Sequence, residues 1–424
     1  MNITIKPSSL QGSVAIIASK SLSHRYFIAA SLSEETSTIS HAMKSVDLEA
    51  TINALKSLGA TIEGNTVKGG FPHLMEPVIN ASASGTTLRL LIPIAMLQEK
   101  PVVFEGKDRL PLRSLDVYEA LFKAQGLLYE RLSLDHLPVR VAGPLKPGTF
   151  RLRGNISSQF ISGLLFALPL LEADSEIIVE EPFESRAYVA LTLAVLNQFG
   201  IEILTENHRY IVPGKQHYKA YNTSVEGDYS QAAFFIVAGL INRFPLTLHN
   251  LRKDTLQGDA KLLDIVKAMK GNVRFTNDQL IVTPSQTQAT TIDLANIPDL
   301  GPILMILAAL SEGTTRFTNI QRLRYKESDR IYAMTEVLTR FGVEHTVIGN
   351  TMEVTGQKTL RGNQVFDSFN DHRIIMAIAV ASIRADQPIT ILHVEHISKS
   401  YPEFFTEFTR LGGEVTIIKE AHHE

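Results

Sequence analysis

Gly227-Asp-Tyr-Ser-Gln-Ala-Ala-Phe-Phe-Ile-Val-Ala-Gly-Leu-Ile241 is a polar turn that opens without a break into an apolar run. Turns of the same kind stand at Ala18-Ser-Lys-Ser21, Ala83-Ser-Gly-Thr86, Asn155-Ile-Ser-Ser158, Ile297-Pro-Asp-Leu300 and Asn370-Asp-His-Arg373. Lys20 and Gly85 are 65 residues apart, and Ser157, Asp228, Asp299 and Asp371 follow at steps of 72, 71, 71 and 72. A second series runs in phase: Gly59, Gly126, Gly200, Gly271, Gly342 and Gly413 each end a helix-like stretch and precede a β-like run. Glycine past a helix end, then β-branched residues, is a stop-and-restart signal. Two periodicities in step predict six copies of one unit: strand, helix, strand, helix, strands.

Working outward, the spacing predicts helix pairs over 19–32 and 47–58, 87–97 and 115–125, 159–171 and 188–199, 230–241 and 262–269, 301–311 and 328–341, and 374–383 and 401–411. The first helix of each pair is apolar nearly all round and is expected to be buried. The second is amphipathic and is expected to face solvent on one side. At 424 residues the chain exceeds one ordinary core. Three repeats per half put the midpoint between residues 212 and 228.

Composition narrows the function. With 44% hydrophobic and 20% charged residues the chain is globular. A net charge of -3 gives no basic field for nucleic acid. Without cysteine there is no disulfide, thiolate metal site or thiol nucleophile. Met1-Asn-Ile-Thr-Ile-Lys-Pro7 alternates like a strand rather than a signal peptide, no apolar run reaches a bilayer span, and a cytoplasmic protein is expected. The His422-His423-Glu424 tail is expected to be frayed.

Cations cluster at the helix starts: Lys20, Arg25, Arg89 and Arg373. They oppose the helix dipole, but with free N–H groups they make an anion site. In Ser19-Lys-Ser-Leu-Ser-His-Arg25, hydroxyls and cations suit phosphate oxygens, without the glycine spacing of a nucleotide loop. Arg113 closes a loop that starts at Gly106. Arg324-Tyr-Lys-Glu-Ser-Asp-Arg330 holds five charges in seven positions. Its plainer reading is a self-paired, solvated helix start capped by Ser328. Asp299 reads most simply as a helix-start carboxylate. Asn370 or Asp371 reads as a cap, with Arg373 paired to Asp371. Lys399 alone says little. His24 and His372 are isolated, no metal-ligand spacing is present, and no metal is expected.

Taken together, Ser19–Arg25, Ser84-Gly-Thr-Thr-Leu-Arg89, Ile156-Ser-Ser-Gln159, Glu226-Gly-Asp228, Ile297-Pro-Asp299, Arg324–Arg330, Asn370–Arg373 and Ser398-Lys-Ser-Tyr-Pro402 resemble the 5-enolpyruvylshikimate-3-phosphate synthases, in order and along nearly the whole chain. The resemblance implies a two-domain inside-out α/β barrel of six βαβαββ repeats, three per domain, with the active site in the interdomain cleft. It assigns residues 18–225 to the first domain and 1–17 plus 226–424 to the second. It implies transfer of the enolpyruvyl group of phosphoenolpyruvate to the 5-hydroxyl of 3-phosphoshikimate, with no cofactor, by a monomer. By position, Asp299 is the expected acceptor of the hydroxyl proton, Glu327 the donor to carbon, and Lys20 lies near both ligands. Lys20, Ser21, Arg25, Ser157, Ser158, Gln159, Ser185, Tyr188, Asp299 and Lys326 match 3-phosphoshikimate contacts. Lys20, Gly85, Arg113, Gln159, Arg330, Arg373 and Lys399 match phosphoenolpyruvate contacts. Gly85 also matches the glyphosate-sensitive pattern.

Two positions depart from the family: Ala83 and Arg322 stand where asparagine is common. The related UDP-N-acetylglucosamine enolpyruvyl transferases usually have a loop cysteine and a Lys-Asn pair in place of Lys20-Ser21. A non-catalytic anion-binding relative would have lost the acid and base groups, which are present here. A purely structural solenoid would leave the helix-start cations unexplained.

Overall fold

The computed structural model describes residues 1–70 and 74–418, so the His422–Glu424 tail lies outside the described residues. The chain divides into two compact units, Met1–Ile17 with Glu226–Glu424, and Ala18–Val225. Each unit contains three four-stranded sheets of one topology.

The sheet of Thr291–Asp293, Thr314–Thr318, Thr351–Thr355 and His345–Ile348 illustrates it. Thr291–Asp293 leads through the Gly301–Ala309 helix to Thr314–Thr318, which pairs parallel to it with Ile292 opposite Phe317. The Arg330–Arg340 helix then leads to an antiparallel hairpin that adds on through Phe317 opposite Met352. Phe317 and Met352 share a buried face, as strand alternation requires. This parallel crossover plus hairpin is the βαβαββ unit.

Three places are filled from elsewhere in the sequence. Thr223–Ser224 supplies the leading parallel strand beside Thr36–Ser40. Gly12–Ala15 does the same beside Leu246–His249. Asn2–Lys6 lies antiparallel between Ile389–Ile391 and Glu414–Ile418. The first 17 residues therefore pair inside the unit formed by the last 199.

The first helix of each repeat is the core. All thirteen residues of Tyr229–Ile241 are buried, as are all of Gly301–Ala309 and His372–Ala381. These three pack on one another. In the other unit Gly85–Ala95 packs on Ser158–Ala167. No helix among the described residues is long and apolar enough to cross a membrane.

Six outer helices end the same way. The amides of Ala60, Leu127, Ile201, Gly271, Val343 and Gly413 each bond back five residues, at 2.8–3.0 Å, to Leu55, Phe122, Leu196, Val266, Leu338 and Phe408. This six-to-one bond closes a helix through a left-handed residue. At the fourth copy that residue is Lys270 (φ 65°), one place before the glycine the sequence pattern suggests, and at the sixth it is Gly412 (φ 112°). After Gly200 and Gly342 the strands begin only at Leu204 and His345, while Ile201 and Val343 are buried at the helix end.

Candidate active site

In the unit containing residues 226–424, one buried arginine organises the charges. Asp329 caps the Arg330–Arg340 helix by accepting from the amides of Ile331 and Tyr332, each at 3.1 Å. That leaves Arg330 as the first helical residue, fully buried. Its guanidinium reaches three carboxylates: Nη1 to Asp299 Oδ1 at 2.9 Å, Nη2 to Glu327 Oε2 at 2.8 Å and Nε to Asp371 Oδ2 at 2.8 Å. Ser328 is not the cap; its hydroxyl donates to Asp371 Oδ2 at 3.0 Å. The outer charges do pair locally, Arg324 with Asp329 at 3.1 Å.

Asp299 is not the cap residue of its helix start, a place taken by Ile297. Instead Lys326 Nζ lies 3.1 Å from Oδ1 and Arg373 Nη2 3.5 Å from Oδ2, beside the Arg330 contact. Burial alone would raise the Asp299 pKa, but Lys326, Arg373 and Arg330 hold it well below the ordinary 3.8. Its side chain keeps 22% exposure, so the charges outweigh the partial desolvation. For Arg330 burial acts downward, yet Asp371, Glu327 and Asp299 push its pKa up. Burial disfavours the Asp371 carboxylate as well, and Arg330 keeps it below 3.8. Lys326 ends below 10.5, lowered by burial and partly restored by Asp299.

Asp371 caps the His372–Ala381 helix through the Arg373 amide at 2.9 Å. The Arg373 guanidinium turns instead to Ser230, with Nη2 2.9 Å from its hydroxyl, and to Asp299. Ser230 in turn donates to Asp228 Oδ1 at 2.6 Å. Thus the openings of three repeats, at Asp228, Asp299 and Asp371, are joined through Arg373 and Arg330. Lys399 ends the short Val394–Lys399 helix, which packs on His372–Ala381. Arg322 places Nη1 3.5 Å from the Ala295 carbonyl.

The unit of residues 18–225 carries the remaining cations. Lys20 begins the Lys20–Ser31 helix behind the cap Ser19 and donates to Asp47 Oδ2 at 3.2 Å. Arg25 is buried and tied by Nε to Thr192 Oγ1 (2.8 Å), by Nη1 to the Ser21 carbonyl (2.8 Å) and by Nη2 to the Tyr188 carbonyl (3.0 Å). Burial pulls its pKa to about 10. Ser185, at φ 55°, precedes the Arg186–Gln198 helix that carries Tyr188. Ser157 caps the Ser158–Ala167 helix by accepting from the Gln159 amide. Gln159 donates to Thr86 Oγ1 at 2.9 Å and accepts from Arg89 Nη1 at 3.0 Å. Arg89 also bonds the Ser114 carbonyl at 3.1 Å, next to Arg113, and sits 4.9 Å over the Phe160 ring. Gly85 faces Arg113 so closely that a Cβ there would meet Nη1 at 2.9 Å.

Each unit therefore gathers its own set: Lys20, Ser21, Arg25, Tyr188, Gly85, Arg113 and Gln159 in one, Asp299, Lys326, Glu327, Arg330 and Arg373 in the other. Such arrays of charge-assisted donors suit phosphate and carboxylate groups, and an ionised Asp299 can accept a proton. Sequence reasoning passed over Asp47, Ser230 and the bridging role of Arg89, and it paired Asp371 with Arg373 where the structure pairs it with Arg330. Asp47 resembles any first-turn acid of an amphipathic helix, so only its distance to Lys20 reveals it.

The sequence matches the family described as EPSP synthase (3-phosphoshikimate 1-carboxyvinyltransferase) over residues 5–408. A 3-phosphoshikimate 1-carboxyvinyltransferase of Clostridium novyi (strain NT) is 43% identical over 427 residues, covering 97% of this chain and 98% of that one. One from Clostridioides difficile (strain 630) is 39% identical over 430 residues, covering 98% of each. The solved EPSP synthase of Acinetobacter baumannii superposes with a TM-score of 0.81 at 25% identity, covering 98% of this chain and all of that one. The chain belongs to the EPSP synthase (3-phosphoshikimate 1-carboxyvinyltransferase) family.

Proposed function

We propose that this protein transfers the enolpyruvyl group of phosphoenolpyruvate to the 5-hydroxyl of 3-phosphoshikimate and releases phosphate. The observation that carries the reading is the Asp299 carboxylate, kept ionised by Lys326, Arg373 and Arg330 with Glu327 on the same guanidinium. In this reading Glu327 protonates the methylene carbon of phosphoenolpyruvate. The 5-hydroxyl oxygen adds to the resulting cationic carbon while Asp299 takes its proton. The tetrahedral intermediate then loses phosphate, and the methyl carbon returns a proton to restore the double bond. Acid and base groups of this kind contribute typically ~10²–10⁴-fold each.

Binding completes the assignment. Lys20, Ser21, Arg25, Ser157, Ser158, Gln159, Ser185, Tyr188 and Lys326 hold 3-phosphoshikimate, and Lys20, Gly85, Arg113, Gln159, Arg330, Arg373 and Lys399 hold phosphoenolpyruvate. Charge-assisted bonds of about 1.5–3 kcal/mol each make the remote phosphate a source of binding energy for the reacting carbon. The chemistry calls on acids, bases and cations that the chain supplies, and we propose a cytoplasmic monomer without cofactor.

The test is phosphate release from phosphoenolpyruvate with 3-phosphoshikimate or UDP-N-acetylglucosamine as acceptor. Release with the first alone is expected. Release with the nucleotide sugar alone would move the acceptor assignment, and release with neither from folded protein would end the enzymatic reading.

Gly85→Ala gives a sharper check. The new methyl displaces the Arg113 guanidinium, so KM for phosphoenolpyruvate is expected to rise about tenfold for the loss of one charge-assisted contact. Glyphosate, which we expect to inhibit the wild type, should weaken more. Unchanged KM and unchanged inhibition in this variant would remove Gly85 from the phosphoenolpyruvate contacts.

A further inference from the structure

A buried chain of polar side chains links Lys20 to Gly85 and has no part in the chemistry above. His24 lies one helical turn after Lys20 and is fully buried, as are Thr51, Thr87 and Ser84. His24 Nδ1 is 2.7 Å from Thr51 Oγ1 on the Val46–Ser57 helix. Thr51 Oγ1 is 2.6 Å from Thr87 Oγ1 on the Gly85–Ala95 helix. Thr87 Oγ1 reaches Ser84 Oγ at 2.8 Å and the Asp47 carbonyl at 3.3 Å. Ser84 caps the helix that begins at Gly85, and Asp47 holds the Lys20 ammonium. The contacts therefore close a ring across three helices, from Lys20 through Asp47, Thr87 and Thr51 back to His24.

Proton directions follow from what has no partner. His24 Nε2 is buried and makes no hydrogen bond. A buried N–H without an acceptor costs more than a bare lone pair, so the proton belongs on Nδ1. Nδ1–H then donates to Thr51 and Thr51 to Thr87, and the one Thr87 proton is shared between Ser84 Oγ at 2.8 Å and the Asp47 carbonyl at 3.3 Å, so that both threonine hydroxyls donate and accept. Burial, with Lys20 and Arg25 nearby, keeps the His24 pKa well below 6.5, which leaves the ring neutral at neutral pH.

We infer that His24, Thr51 and Thr87 form a neutral, one-directional relay that positions the Lys20 ammonium relative to the Gly85 turn, and that they act as positioning residues for the reaction. The inference rests on the reading of function above for the role of Lys20 and Gly85, while the relay itself stands on the distances. Buried hydrogen bonds in a chain polarise and hold one another in one geometry, and small displacements of a reacting constellation are costly.

Two measurements test it on the full chain. Long-range proton–nitrogen NMR of labelled histidines at neutral pH, assigned by the signal lost in His24→Asn, is expected to show Nδ1 protonated and Nε2 bare. Thr51→Val, which keeps shape and removes the relay, is expected to lower kcat/KM for phosphoenolpyruvate about 10- to 100-fold with the protein still folded. Thr51→Ser, which keeps the hydroxyl, should restore it to within about twofold. A proton on Nε2, or a folded Thr51→Val enzyme with unchanged kcat/KM, would overturn the inference. A wild-type protein without turnover would instead sink the reading of function, and the NMR result would still decide the relay.

Discussion

Arg330→Met is expected to cost about 3–5 kcal/mol of stability and most of the turnover, because it leaves buried carboxylates without their cation. Arg330 is fully buried and bonds Asp299, Glu327 and Asp371 at once. No hydrophobic replacement compensates three acids, of which Asp371 has no exposed side-chain surface. Arg330→Lys should be nearly as damaging, since one ammonium cannot span three directions that a planar fork matches. Chemical denaturation followed in parallel with phosphate release checks both variants. A midpoint equal to wild type for Arg330→Met would mean that the carboxylates take up protons and relax, and Arg330 would not be the organiser described here.

Asp299→Asn is the second large effect. Shape is kept and the base is lost, so turnover should fall by ~10²–10⁴. The pH signature separates this from simple disturbance. Asp299 is depressed in the folded protein, so its contribution to stability is present above the unfolded value of 3.8 and disappears as pH falls through the lower folded value. The variant should lack that part of the acid sensitivity. At the alkaline end the sign reverses in origin. Lys326 lies below 10.5 because burial lowers it while Asp299 opposes the fall. Without Asp299 that opposition ends, and loss of activity on the alkaline side should begin at lower pH than in wild type. An alkaline limb that stayed in place would show that Lys326 and Asp299 do not share a field.

The six repeats were legible because each opens with a polar cap and continues as a helix that is apolar on every face, a local pattern that needs no knowledge of partners. The helix ends were legible less well. Lys270 takes the left-handed conformation that the pattern places on the glycine after it, since the six-to-one bond fixes the register and residue preference only biases it. The charges were the hardest part. Arg324–Arg330 looked self-paired, and its outer members are, but Arg330 finds Asp299 and Asp371 at separations of 31 and 41 residues. Asp299, Asp371 and Asp47 all sit where a helix start accepts a carboxylate for free, so local reasoning stops at the cap. Pairing across repeats is a property of the packed core and leaves no spacing to read.

The borrowed strands make the order of synthesis matter. Asn2–Lys6 is made well before its neighbours Ile389–Ile391 and Glu414–Ile418, which follow it by most of the chain's length. At ~5–20 residues per second, roughly 20 to 80 s pass before that strand has anything to pair with. Within residues 18–225 the wait is shorter, because Thr223–Ser224 joins Thr36–Ser40 after only about half that length of chain. The opening segment must stay unpaired and harmless throughout the wait. Lys6 and Pro7 at its end suit that need, since a charge and a proline discourage an unpaired strand edge from joining another chain.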